Sequence, residues 1–212
     1  MPKVFLITGA STGIGAETAR QAADAGYKVV LAARSEDKLQ ALADEIGGLA
    51  VRCDVTEWED QQNLVRRALD EYGQIDVAFA NAGFGGARGF DKDDVEHWKS
   101  MVLTNVYGCA LTIRATMPAL KESKGHLLLT SSVAGRRSLP GSLYSASKHA
   151  VTAMGEAAGL ACQCLQLVLG AGGKDDLVAG FGSLAGGGGA DARAGTGDEE
   201  DLRHRRTVSA RC

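Results

Sequence analysis

The sequence predicts a doubly wound α/β domain, a parallel sheet with helices packed on both faces. Three observations predict it. Short segments that are apolar throughout recur along the chain, helically periodic segments separate them, and the first apolar segment runs directly into a glycine-rich turn. Strands covered on both faces read as unbroken apolar runs, and strand–helix alternation is the mark of a parallel sheet. Right-handed crossovers then leave little freedom in the topology. A length of 212 residues fits one domain with a sizeable core.

Residues 3–8 are apolar and β-branched and are read as the first strand. Residues 13–25 have helical periodicity and stop at Gly26, a residue suited to ending a helix. Residues 28–33 form a second buried strand, followed by a charged amphipathic helix over 36–46. A short third strand covers 49–53. Asp54-Val55-Thr56-Glu57 then opens a helix to about residue 72, with Thr56 read as its N-cap. Residues 75–80 make a fourth strand. Two helices are expected next, over 93–106 and 107–121, then a fifth strand over 126–131 and a helix from Leu143 onward. A sixth strand is read at 165–169.

The bulk properties exclude several functions. With 45% hydrophobic and 23% charged residues the composition is that of a soluble globular protein, and a net charge of −3 gives no surface for nucleic acid or anionic membrane. No apolar run approaches the ~20 residues of a membrane span. The N-terminal apolar segment turns polar at Thr8, too soon for a signal peptide, so the cytoplasm is the expected compartment. Cys53, Cys109, Cys162, Cys164 and Cys212 show no paired metal-ligand spacing, and the four histidines are scattered, so reduced structural thiols and no metal site are expected.

In such sheets ligands bind at the carboxyl ends of the strands, near the point where strand order reverses. After the first strand comes Thr8-Gly9-Ala10-Ser11-Thr12-Gly13-Ile14-Gly15. Its glycines allow a sharp turn and close approach to a pyrophosphate, with helix N-terminal amides facing the negative charge. The second strand ends Leu31-Ala32-Ala33-Arg34. Ala33 cannot bind a ribose 2′-hydroxyl, whereas Arg34 can clamp a 2′-phosphate, so NADP(H) is expected over NAD(H). Asp54-Val55 follows the third strand, Asn81-Ala82-Gly83 the fourth and Ser131-Ser132-Val133-Ala134-Gly135 the fifth. Asn105 lies in Leu103-Thr104-Asn105-Val106. Tyr144 and Lys148 are four residues apart, so a helix stacks phenol and ammonium on one face.

Over residues 3–155 these motifs, in this order and spacing, resemble the short-chain dehydrogenase/reductase family. The resemblance implies a Rossmann-like fold and metal-free transfer of a hydride between NADP(H) and a small carbonyl or alcohol substrate. It implies that Tyr144 donates or takes the proton at the substrate oxygen, and that Lys148 stabilises the phenolate and holds the nicotinamide ribose. Either of Ser131 and Ser132 could face the site, and Ser132, aligned by the following Val-Ala-Gly, is the one expected to bond the substrate oxygen, while Asn105 would support an ordered water in the proton path. Gly9, Ser11, Thr12, Gly13, Ile14, Gly15, Arg34, Asp54, Val55, Asn81, Ala82 and Gly83 would line the cofactor, Asp54-Val55 against adenine. Homodimers or homotetramers are the family's usual assembly. Phe84-Gly85-Gly86-Ala87-Arg88-Gly89-Phe90 is open to two readings, a border of the substrate pocket or a plain loop. Ser145, Ser147, Tyr27, Tyr72 and Tyr107 are read as structural.

Past about residue 157 the resemblance fades. Gly159 falls in the helix of Tyr144, and the Pro-Gly turn that the resemblance leads one to expect is replaced by Gly170-Ala171-Gly172-Gly173. Between 170 and 197, eleven of twenty-eight residues are glycine, too many to offset their ordering entropy by burial. Asp198-Glu199-Glu200-Asp201 and Arg203-His204-Arg205-Arg206 read as a solvated charge block. The expected organisation is a dinucleotide-binding and catalytic domain over 1–169 and a poorly ordered tail over 170–212. A truncated or frame-altered C-terminus would explain the change. It leaves a second functional reading, a dinucleotide-binding chain with impaired turnover.

Overall fold

The computed structural model describes residues 1–87, 89–140, 143–161 and 166–169. The strands are β1 (Val4–Thr8), β2 (Lys28–Ala33), β3 (Leu49–Arg52), β4 (Val77–Ala80), β5 (His126–Thr130) and β6 (Gln166–Leu169). They pair in parallel in the order β3-β2-β1-β4-β5-β6. Strand order therefore reverses between β1 and β4, and the loops leaving those two strands meet at one cleft. The expected tail over 170–212 lies outside the described residues.

Successive residues of each strand serve opposite layers. Val4 and Leu6 join Val30, Ala78 and Leu129 on one face, where helices α3 (Trp58–Tyr72), α5 (Cys109–Ser123) and α6 (Leu143–Ala161) add Leu64, Leu120 and Val151. Phe5 and Ile7 join Leu31, Phe79 and Leu128 on the other, under α1 (Gly13–Asp24) and α2 (Glu36–Ile46), which contribute Ala19, Leu39 and Leu42. Both faces are covered, which is why the strands show no polar alternation. Each fully buried Leu or Phe contributes about 1.5–3 kcal/mol of transfer free energy.

Two local expectations are corrected. Thr56 does not cap α3. Asp54 Oδ1 accepts from both the Thr56 N–H (3.0 Å) and its hydroxyl (2.8 Å), so the polar turn closes on itself and the helix starts at Trp58 with Glu57 in the cap position. The two helices expected over 93–121 are one continuous run instead. It comprises α4 (Val95–Val102), a π-helical segment (Leu103–Gly108) and α5. The N-cap of α4 is Asp94, whose carboxylate accepts from the Glu96 N–H. Gly108 at the end of the wide turn admits Val55, since a Cβ there would stand 2.7 Å from Val55 Cγ2. The first helix ends at Asp24, with Ala25 in the cap position and Gly26 following at φ 85°.

Candidate active site

The loop after β1 is shaped by backbone contact. Gly9 has φ 65°, and a Cβ on it would stand 2.8 Å from Ala82 Cα. A Cβ on Gly15 would run into the Gly9 carbonyl and lie 2.7 Å from Asn81 Nδ2. Gly13, at φ 57°, has nothing within 4 Å of where its Cβ would be, so room is left in front of α1. Thr12 occupies the N-cap without a side-chain bond, and no acidic residue lies in the first turn. Helix N-terminal amides with no side-chain acceptor are a site for an anion.

Across the strand switch, Asn81 ties the loop to the neighbouring strands. Its Nδ2 donates to the carbonyls of Thr8 (3.1 Å) and Gly9 (3.3 Å), and its Oδ1 accepts from the Thr130 hydroxyl at 3.0 Å. Thr130 continues the chain, because its carbonyl accepts from Lys148 Nζ at 2.8 Å. Lys148 is 4% exposed, and burial pushes its ammonium below the ordinary lysine range. Its Nζ lies 5.6 Å from the centre of the Tyr144 ring, one turn back on α6.

The two serines after β5 part ways. The Ser131 hydroxyl turns into α6, donating to the Lys148 carbonyl at 3.2 Å and bonding Thr152 Oγ1 at 2.7 Å. Ser132 Oγ accepts from the Ala134 N–H at 3.2 Å, capping the short 3-10 turn Val133–Gly135. Asn105, 1% exposed within the π-helical segment, holds Phe84 at both backbone groups. Oδ1 accepts from Phe84 N at 3.0 Å, and Nδ2 donates to Phe84 O at 2.9 Å and to Ser147 Oγ at 3.2 Å. Ser145, buried, accepts from the Leu139 N–H.

A cleft of about 460 Å³ runs between these loops, within the range of cofactor and ligand pockets. Of the residues singled out in the sequence, Gly9, Ser11, Thr12, Gly13, Ile14, Arg34, Asp54, Val55, Asn81, Ala82, Gly83, Tyr144 and Lys148 line it. Gly15, Asn105 and Ser132 are not among the lining residues, whereas Ser131 is. Phe84 and Gly85 also line it, which favours the pocket-border reading of that loop. Thr130 and Thr104 line it as well and were not singled out. Both sit inside elements whose apolar neighbours carry the pattern, so no spacing marks them. Arg34 is exposed at one end, its Nη1 3.9 Å from Asp54 Oδ2. Cys53 and Cys109 are free and buried, and burial pushes both thiols up to about 12. Among the described residues no group of side chains could hold a metal ion, and no helix is long and apolar enough to cross a membrane.

Residues 3–164 match the family model of the short chain dehydrogenases. The chain belongs to that family. The match runs beyond residue 157, where motif resemblance fades. Two relatives of this short chain dehydrogenase are uncharacterized oxidoreductases. One, from Listeria monocytogenes, is 40% identical over 156 residues, covering 70% of this chain and 63% of the relative. The other, from Staphylococcus saprophyticus, is 36% identical over 159 residues, covering 73% and 65%. The chain thus spans less than two thirds of the length of these curated relatives. Among solved structures, an alcohol dehydrogenase from the archaeon Thermococcus sibiricus, complexed with 5-hydroxy-NADP, superposes with a TM-score of 0.77 at 31% identity, covering 80% of this chain and 76% of that one. A short chain dehydrogenase/reductase from Burkholderia phymatum in complex with NAD gives 0.74 at 31% identity, covering 79% and 65%.

Proposed function

We propose that this chain transfers a hydride between NADP(H) and a small carbonyl or alcohol substrate through Tyr144, Lys148, Ser132 and Asn105. One observation carries the proposal. A buried lysine, fixed by the Thr130 carbonyl, stands beside the Tyr144 ring in the same cleft as the glycine loop. The family resemblance gives such a lysine the part of holding the nicotinamide ribose beside the phenol. A positioned phenol can then pass a proton to or from a substrate oxygen. Ser132 would bond that oxygen. Asn105 holds the Phe84 backbone, and the resemblance adds an ordered water in the proton path.

The residues present fit a dinucleotide. The first-turn amides of α1 lack a side-chain acceptor, and Gly13 leaves open room before them. Gly9, Ser11, Thr12, Gly13 and Ile14 would hold the pyrophosphate, with Asp54 and Val55 at adenine. The nicotinamide group supplies the hydride chemistry when bound, and the protein supplies orientation and electrostatics. Support for NADP(H) over NAD(H) is the exposed Arg34 guanidinium beside Ala33. The cytoplasm is the compartment proposed with this chemistry, on composition alone.

A second reading, dinucleotide binding without turnover, is favoured by Ser132, which is not among the residues lining the cleft. A titration with NADPH, beside its oxidation at 340 nm with a panel of aldehydes and ketones, separates the two. Binding with oxidation supports the first reading and binding alone the second. Absence of binding rejects both.

A further inference from the structure

The chain leaving β4 crosses the cleft as Gly83-Phe84-Gly85-Gly86-Ala87, a segment whose glycines give it no stiffness of its own. It is nevertheless tied at successive residues. Beyond the Asn105 bonds to Phe84, the Gly85 carbonyl lies 3.1 Å from His97 Nε2, and the Ala87 N–H donates to Asp93 Oδ2 at 3.1 Å. A carbonyl only accepts, so the His97 tautomer with the proton on Nε2 is the one that bonds it. The Asp93 carboxylate stands 3.9 Å from the same nitrogen, with its side chain 12% exposed. A Cβ on Gly86 would strike that carboxylate. The Phe84 ring meets the His97 ring edge-on, with centroids 5.2 Å apart and planes at 70°. A Cβ on Gly85 would come within 4.0 Å of Tyr144 Cδ2.

We propose that Asp93 and His97 are positioning residues, a clamp from α4 and its approach that fixes Phe84 and Gly85 as the substrate-side wall next to Tyr144. A fixed phenyl ring in that wall selects carbonyl compounds bearing an apolar ring, because aromatic pairs gain edge or offset contacts beyond their buried area. The substrate role rests on the function proposed above, whereas the clamp rests on the bonds alone.

The test uses the full chain with His97→Ala and His97→Gln, the latter carrying an amide donor that can reach the Gly85 carbonyl. Backbone hydrogen exchange over 83–87 is measured without ligand, and KM for benzaldehyde and for NADPH in turnover. Loss of one hydrogen bond and a ring contact predicts about fivefold faster exchange in that segment for His97→Ala and a benzaldehyde KM raised about fivefold to tenfold. The NADPH KM stays unchanged, and His97→Gln moves both altered values back toward the parent. Unchanged exchange, or no recovery in His97→Gln, overturns the clamp. An equal rise in both KM values also overturns it, since general loosening would produce that. Turnover of propanal without turnover of benzaldehyde overturns the ring preference. If the parent chain oxidises NADPH with no carbonyl compound, the proposed function fails and the exchange measurement alone decides the clamp.

Discussion

The loop after β1 and the loop after β4 both carry glycines into the cleft, but different forces hold them. The first is shaped by main chain against main chain, Gly9 against Ala82 and Gly15 against the Gly9 carbonyl, with the Asn81 carboxamide bonding the Thr8 and Gly9 carbonyls. The second is fixed by side chains reaching in from elsewhere, Asn105 from the π-helical segment and His97 and Asp93 from the start of the long helical run. A backbone-shaped loop depends on a few residue types at fixed spacing. A side-chain-held loop depends on distant elements being in place. The division follows the proposed chemistry, with dinucleotide binding on the first side and substrate and proton on the second.

The sharpest break should come from Tyr144→Phe. Removing a positioned acid–base group costs about 10²–10⁴-fold in turnover, while NADPH affinity measured by titration stays near that of the parent. Near-normal turnover would remove Tyr144 from the proton step. Gly15→Ala attacks the other side, and the buried clash with Gly9 should weaken NADPH by roughly tenfold or more. Affinity equal to the parent's would show that the loop tolerates a side chain there. Arg34→Asp should weaken NADPH by roughly tenfold more than NADH, the loss of one charge-assisted pair. Equal loss for both nucleotides rejects the phosphate contact. Thr130→Val cuts the only side-chain bond described between Asn81 and β5 and should cost about 1 kcal/mol in denaturant unfolding. An unchanged midpoint would mean that the two sides are stable independently. The smallest effect is expected from iodoacetamide. With both thiols raised to about 12 by burial, Cys53 and Cys109 stay protonated near pH 8 and should remain unmodified in peptide maps of the folded chain. Labelling of Cys53 alone would show the β1 side to be the looser one.

The same contrast explains what was legible in the sequence. Gly9, Gly13 and Gly15 could be read because positive φ and close approach depend on residue type alone, and the strands because burial on both faces leaves no polar residue in them. Asn105 could be placed, but its partner Phe84 could not, since the bond spans a loop and a wide turn that no periodicity announces. The Thr56 cap failed because Asp54, two residues back, accepts from the N–H and hydroxyl of Thr56 itself and holds it in a turn ahead of the helix. His97 and Asp93 gave no signal at all. A four-residue spacing of Asp and His at a helix start is common, and only the approach of Gly85 and Ala87 gives it meaning.

The π-helical segment Leu103–Gly108 also sets a phase. A π turn carries one residue more than an α turn, and each residue of an α-helix advances about 100° around its axis. Because the wide turn absorbs that extra residue, deleting one residue there would let the run revert to a regular helix with α5 nearly in phase, whereas tightening the turn without a deletion would rotate α5 against α4 by roughly that angle. In the second case Thr112, Thr116 and Leu120, which now face the interior, would be carried round toward solvent. Along this helix, then, the wide turn and its extra residue belong together, and changing one without the other is what disturbs the packing. A relative one residue shorter at this point, with a regular helix there, would keep its outer layer in the same register around the cleft.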